Sequence, residues 1–112
     1  MKVSSSNKVL DTSASELQMA IDLIQGKWIG SIIYHLWREP LGFNDLSRML
    51  QGASKNIINQ RLKMLETEGL VTRTVYSERP IMVKYKLTNK GLKVYSLFEQ
   101  LSSLLGDDDR TK

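Results

Sequence analysis

The sequence predicts a mainly helical α+β domain: a helical front half, one β-hairpin, and a closing helix. Three observations carry that prediction. Apolar residues recur at three- and four-residue spacing from Leu17 to Leu65. Two β-prone runs, 70–76 and 81–87, flank the turn-like Ser77-Glu78-Arg79-Pro80. A last helical pattern follows Thr88. The 112 residues fit one domain, since domains typically hold ~100–150 residues. A chain this short buries one modest core, so burial shared between two subunits is a natural route to stability.

Each element has its own signal. Residues 1–12 are polar and read as a flexible segment. Ser13-Ala14-Ser15-Glu16 has the form of a capping box, and Leu17, Ile21 and Ile24 then mark a helix that Gly26 would stop. A second helix is expected over 27–37, apolar nearly all round with Trp28, Ile29, Ile32, Ile33, Leu36 and Trp37, until Pro40 forbids continuation. Asn44 is expected to cap a short third helix, with Asp45 at its positive end and Leu46, Met49 and Leu50 on its inner face. Gln51-Gly52-Ala53 is a tight connection. Ser54 caps a fourth helix over 55–68, which Gly69 ends. In the second strand Val83, Tyr85 and Leu87 alternate with Met82, Lys84 and Lys86, as in a half-buried hairpin. Thr88 caps a last helix running to 105, and 106–112 form an acidic tail expected to be flexible. The domain therefore spans 13–105. A helix–turn–helix followed by a hairpin is the winged helix-turn-helix order, in which the second helix of the pair enters the major groove.

Charge distribution supports a nucleic-acid partner. The net charge is +4 with a pI near 9.4. Between Ser54 and Lys90 there are eight basic residues against Glu66, Glu68 and Glu78, so the whole positive excess lies in one contiguous segment. On a helical wheel of 55–68, Ile57, Ile58, Leu62, Met64 and Leu65 share one arc. Lys55, Asn56, Asn59, Gln60 and Lys63 share the opposite one. Asn and Gln pair bidentately with adenine edges, and Lys reaches guanine or phosphate. A merely solvated face would intersperse Glu with Lys at i, i+4 spacing. Arg61 projects into the apolar arc, where it snorkels or pairs with a carboxylate. In the hairpin, Arg73, Arg79 and Lys84 are the expected DNA contacts, with Arg79 at the turn best placed for the minor groove or a flanking phosphate. Lys86 reads equally as protection of a strand edge. Asn44 and Ser54, at the starts of the two helices, complete the candidate DNA-binding set.

The last helix carries two apolar stripes: Val94, Leu97, Leu101 and Leu104, and beside them Tyr95, Phe98 and Leu105. Covering a small domain requires one stripe, so the second is expected to meet a partner. Leu17, Ile21, Tyr95, Phe98, Leu101 and Leu105 are the expected contacts of a homodimer formed by the terminal helices.

At this point the chain resembles a known family. Gly26-Lys27-Trp28, Phe43-Asn44-Asp45-Leu46, Gln60-Arg61-Leu62-Lys63-Met64-Leu65-Glu66, Gly69-Leu70-Val71 and Val83-Lys84-Tyr85-Lys86-Leu87-Thr88 with Gly91 are similar, in order, to the HxlR-type winged helix-turn-helix regulators, relatives of the MarR group. The resemblance covers roughly residues 17–105. It implies a transcriptional regulator that forms a two-fold dimer through its terminal helices and binds a pseudo-palindromic operator. Two departures matter. Family members commonly carry a basic residue where this chain has Gly42, so one backbone contact is missing. Several members sense electrophiles or oxidants through an N-terminal cysteine, and this sequence has none.

Other readings fare less well. Without cysteine there is no disulfide framework, thiolate metal site or thiol switch in these residues. His35, the single histidine, lies among apolar residues and reads as a satisfied core or interface side chain; no catalytic triad, metal site or cofactor loop assembles around it. Asp107-Asp108-Asp109 reads as solvated charge. The run from Trp28 to Trp37 is too short and too interrupted to span a bilayer, and the first residues lack a signal-peptide core, so the expected address is the cytoplasm. Trp28, Tyr34, Trp37, Phe43 and Tyr85 are many aromatics for a small core; packing is the favoured explanation, with a small aromatic effector near the dimer interface the other. A winged-helix protein–protein adaptor without DNA binding is the competing function. It would expose apolar residues on helix 55–68, which instead exposes Asn, Gln and Lys.

Overall fold

The computed structural model describes residues 13–106, so the expectations for 1–12 and 107–112 lie outside the described residues. The elements run α1 (Ala14–Gln25), α2 (Ile29–Arg38), α3 (Phe43–Met49), α4 (Lys55–Thr67), β1 (Val71–Glu78), β2 (Ile81–Leu87) and α5 (Asn89–Leu105). This is a winged helix-turn-helix. Gly106, counted with the acidic tail from sequence, is the C-cap of α5 and donates its N–H to the Ser102 carbonyl at 2.9 Å.

Local chemistry fixes most helix starts where expected. The Ser13 hydroxyl accepts the Glu16 N–H while the Glu16 carboxylate accepts the Ser13 N–H, both at 3.1 Å, and α1 begins there. Ser54 Oγ accepts the Ile57 N–H at 3.1 Å at the start of α4. Thr88 Oγ1 accepts the Gly91 N–H at 3.0 Å and donates to the Gly69 carbonyl at 2.6 Å, tying the start of α5 to the end of α4. Gly52 and Gly69 take left-handed φ of 99° and 77° in the turns on either side of α4.

Three local expectations are corrected. Asn44 is not the cap of α3: Gly42 is, and the Asp45 carboxylate accepts the Gly42 N–H at 3.3 Å, leaving Asn44 exposed in the first turn. Gly26 does cap α1 but at φ −58°; the left-handed residue of that corner is Trp28, at φ 77°, so α2 starts at Ile29 rather than Lys27. A left-handed non-glycine residue costs roughly 1–2 kcal/mol. The indole packed against the core and the Arg61 guanidinium, which donates to the Lys27 carbonyl at 2.9 Å, hold the corner in place. Finally, α2 is not apolar all round in its surroundings. Ile29, Ile32, Ile33 and Leu36 are buried, whereas Tyr34 and Trp37 face outward.

The core is built by Ile29, Ile32 and Ile33 of α2, Leu46 of α3, and Ile58, Leu62 and Leu65 of α4, all with no solvent exposure. The hairpin closes it from one side. Its antiparallel register pairs Val71 with Leu87, Arg73 with Tyr85 and Val75 with Val83, and it slips between Val75 and Ser77. The second strand has the expected bounds, and the first runs two residues further, to Glu78, so that only Arg79 and Pro80 lie between them. Leu41, ahead of α3, adds a one-residue bridge: its N–H and carbonyl bond the Tyr85 carbonyl and N–H at 3.0 and 2.7 Å. That bridge presses Gly42 against the wing, where an added Cβ would stand 3.2 Å from the Val83 carbonyl oxygen. The departure at Gly42 thus has a steric setting in this chain.

α5 lies across the other side. Tyr95 stacks on Trp37 with ring centroids 4.4 Å apart and planes 13° from parallel, and its hydroxyl donates to Glu99 at 3.3 Å. Burial, then the neighbouring Glu99 carboxylate, push this phenol above the ordinary tyrosine range.

Candidate nucleic-acid interface

α4 is an amphipathic helix seen from both sides. Ile58, Leu62 and Leu65 anchor it in the core, and Lys55, Asn56, Asn59, Gln60 and Lys63 are all exposed on the opposite face. Met64, placed in the apolar arc from sequence, is 38% exposed at its margin. Behind Ile58, Leu62 and Leu65, the side chains of Ile29, Ile32, Ile33 and Leu46 are fully buried, and this packing matters for function because a reading surface must keep its geometry when it meets DNA.

Of the two roles expected for Arg61, the carboxylate pair does not form among the described residues: the side chain is half-buried and its Nε donates to the Lys27 backbone carbonyl across 34 positions of sequence. Lys90 is similarly spent, donating to the Glu68 carbonyl at 2.8 Å at the C-terminal end of α4, where a cation complements the helix dipole. Lys84 is half-buried with its ammonium 5.2 Å from the Tyr76 ring centroid, a cation–π arrangement that directs it along the hairpin. The basic segment read from sequence is therefore divided by the fold. Lys55, Lys63, Arg73, Arg79 and Lys86 are exposed, and so is Lys90, whose ammonium is held by the Glu68 carbonyl.

Among these, the fold brings Asn59 and Lys63 of α4 together with Arg73 of β1. They line a cleft of about 470 Å³ between the helix and the base of the hairpin, which Glu66, Thr67 and Tyr85 complete. Arg79 stands apart at the exposed hairpin tip, its N–H bonded to Ser77 Oγ at 3.4 Å. Ser54 remains exposed while its oxygen caps α4. Sequence reasoning missed Arg48, exposed on α3 and bridged to Asp45; its i, i+3 spacing was the available signal.

The chain therefore presents a core-anchored polar helix following a short helix and a tight glycine turn, flanked by a hairpin with a basic tip. Residues 23–109 match the sequence profile of the HxlR-like helix-turn-helix family. The chain belongs to that family. The proteins it resembles include the helix-turn-helix-type transcriptional regulator YvaP of Bacillus subtilis, 31% identical over 85 residues that span 76% of this chain and 79% of the relative. YodB of the same organism is 30% identical over 93 residues, 83% of each chain. Its structure in the reduced form superposes with a TM-score of 0.74 at 30% identity, over 81% of this chain and 88% of that one. A MarR-family regulator from Enterococcus faecalis V583 superposes with a TM-score of 0.70 at 33% identity, over 86% of each. Membership makes this HxlR-like chain a transcriptional regulator of the helix-turn-helix type.

The terminal helices leave much apolar surface outside. No residue of α1 is buried: Leu17 is 55% and Ile21 37% exposed. On α5, Leu97, Leu101, Leu104 and Leu105 are all exposed, at 46–70%. Tyr95 is the exception among the expected dimer contacts, since it is spent on the chain's own core beside Trp37; Phe98 is half-buried against that core. The other aromatics suspected of forming an effector pocket mostly pack: Trp28 and Phe43 lie against the core and Tyr85 within it. Tyr34 faces a separate cleft of about 510 Å³ with Tyr95, Phe98 and Glu99. His35 is half-buried, its ring edge-on to Tyr34 at 5.3 Å. Among the described residues no helix is long and apolar enough to cross a membrane.

Proposed function

We propose that this protein is a homodimer that binds a pseudo-palindromic operator in double-stranded DNA, each subunit laying α4 in the major groove and its hairpin along the backbone or minor groove. The observation that carries the reading is the exposed face of α4. Five hydrogen-bonding side chains, Lys55, Asn56, Asn59, Gln60 and Lys63, stand on a helix whose other face is locked in the core. Asn and Gln offer bidentate contacts to adenine, and the lysines contacts to guanine or phosphate. Arg73 and Arg79 position the complex by phosphate contacts. Asn44 and Ser54 approach the backbone from the starts of their helices, and Lys84 supports the hairpin more than it contacts DNA.

Support for a dimer comes from the apolar surface of α1 and α5. Leu17, Ile21, Leu101 and Leu105 would be covered by the same residues of a second copy around a two-fold axis, with Phe98 beneath them. A protein–protein adaptor would need a sticky surface on α4, where this chain has amides and ammonium groups. A regulator of this kind works where the chromosome is, in the cytoplasm. A small aromatic effector would have an aromatic-lined cleft at Tyr34, Tyr95 and Phe98, next to the dimer surface.

Selection of bound duplexes from a random DNA pool tests the proposal. Enrichment of an inverted repeat with half-sites one helical turn, about 34–36 Å, apart is expected. Recovery of no sequence preference at all would overturn it.

A further inference from the structure

The DNA-facing cleft contains one acidic side chain that the proposed reading leaves without a role. Glu66 lies on the polar arc of α4, one turn beyond Lys63 and between the directions of Lys55 and Asn59 on the helical wheel. The structure places it, half-buried, in the cleft shared with Asn59, Lys63 and Arg73. Its position is an unfavourable one twice over. A carboxylate in the last turn of a helix opposes the helix dipole, and a carboxylate on a face meant for DNA opposes the phosphates. Among the described residues it also forms no ion pair that would offset either cost; the single bridge joins Arg48 and Asp45.

We propose that Glu66 is a specificity-determining residue, whose charge suppresses binding to unrelated DNA more than binding to the operator. This role rests on α4 being the recognition helix. Sequence-independent binding is governed by the charge that a face presents to phosphates. A carboxylate that shares the cleft with Lys63 and Arg73 subtracts from that charge. In the fully seated operator complex the helix is fixed in the groove, and Lys63 and Arg73 are drawn to defined partners on either side. There the carboxylate accepts hydrogen bonds from the two cations and holds their direction, so its repulsion is offset by positioning. A loosely seated complex obtains the repulsion without that return. Binding unrelated sequence becomes weaker, and the ratio of operator to unrelated affinity rises.

The test measures Glu66→Gln, Glu66→Asp and the wild-type protein against the selected operator and a scrambled duplex, at two salt concentrations. Gln keeps the size and removes the charge. It should bind the scrambled duplex about three- to tenfold more tightly, the range expected for one unit charge removed ~7 Å from a phosphate, with no gain on the operator. Asp retains the charge and should keep most of the wild-type ratio. A change of equal factor on both duplexes, or none on either, would overturn the proposal while leaving the recognition-helix reading intact. Wild-type protein that does not distinguish operator from scramble would instead refute that reading itself. A purely structural role for Glu66 would shift the unfolding midpoint of Glu66→Gln and leave the affinity ratio unmoved.

Discussion

At the scale of single residues, the close approaches decide which side chains are replaceable. An added Cβ at Gly91 would lie 2.2 Å from the Leu70 carbonyl oxygen and 3.1 Å from a Leu87 methyl. Alanine ordinarily favours a helix by about 1 kcal/mol over glycine, but here the obstacle is backbone. Gly91→Ala is expected to destabilise the protein by about 1–3 kcal/mol, as overpacked cores do, read as a lowered urea midpoint. A raised midpoint would mean that α5 can slide away from the hairpin without loss. The exposed amides behave oppositely. Asn59→Ala and Lys63→Ala leave no cavity, so the unfolding midpoint should stay near wild type while discrimination between operator and mismatched duplex falls by ~1–3 kcal/mol per lost base contact. Retention of full operator preference by both variants would assign recognition to another face.

At the scale of elements, the hairpin separates cations that look alike in sequence. Arg79 stands at the exposed tip, whereas Lys84 is held over Tyr76. Arg79→Ala is expected to lower affinity for operator and unrelated duplex by similar factors, and to flatten the slope of log affinity against log salt by roughly one unit. Lys84→Ala should change that slope less, since its charge is directed along the strands. Equal slopes for the two variants would show that the cation–π contact opens on DNA. α4 in turn is legible in sequence as an amphipathic helix, but its attachment to the α1–α2 corner through Arg61 is not. Periodicity could place Arg61 in the apolar arc; it could not name a carbonyl 34 residues away as the partner.

At the scale of the whole molecule, the apolar surface of α1 and α5 is the feature that one chain alone does not satisfy. Leu101→Glu, or Leu105→Glu, places a charge on the exposed side of α5 where the chain's own core is not disturbed. Each variant is expected to sediment as a monomer and to lose most of its operator affinity, because one recognition helix makes too few contacts. Analytical ultracentrifugation of the wild-type protein at tens of micromolar should show a dimer; a monomer there would contradict the two-fold assembly.

The sequence alone determined the order of elements, the caps at Ser13, Ser54 and Thr88, the buried and exposed arcs of α4, and the hairpin alternation. Each follows from spacing of 2 or 3.6 residues, or from side chains that satisfy N–H groups three positions away. What only the tertiary structure decided are relations between distant segments. These are the Leu41 bridge beside the Gly42 cap, the left-handed Trp28 corner, the engagement of Arg61 and Lys90 by carbonyls and of Lys84 by a ring, and the use of Tyr95 inside the core. A charge count treats every lysine as equal, and a helical wheel has no neighbours. Which cation meets a carbonyl, a ring or the solvent depends on what packs beside it, and only the folded chain supplies that.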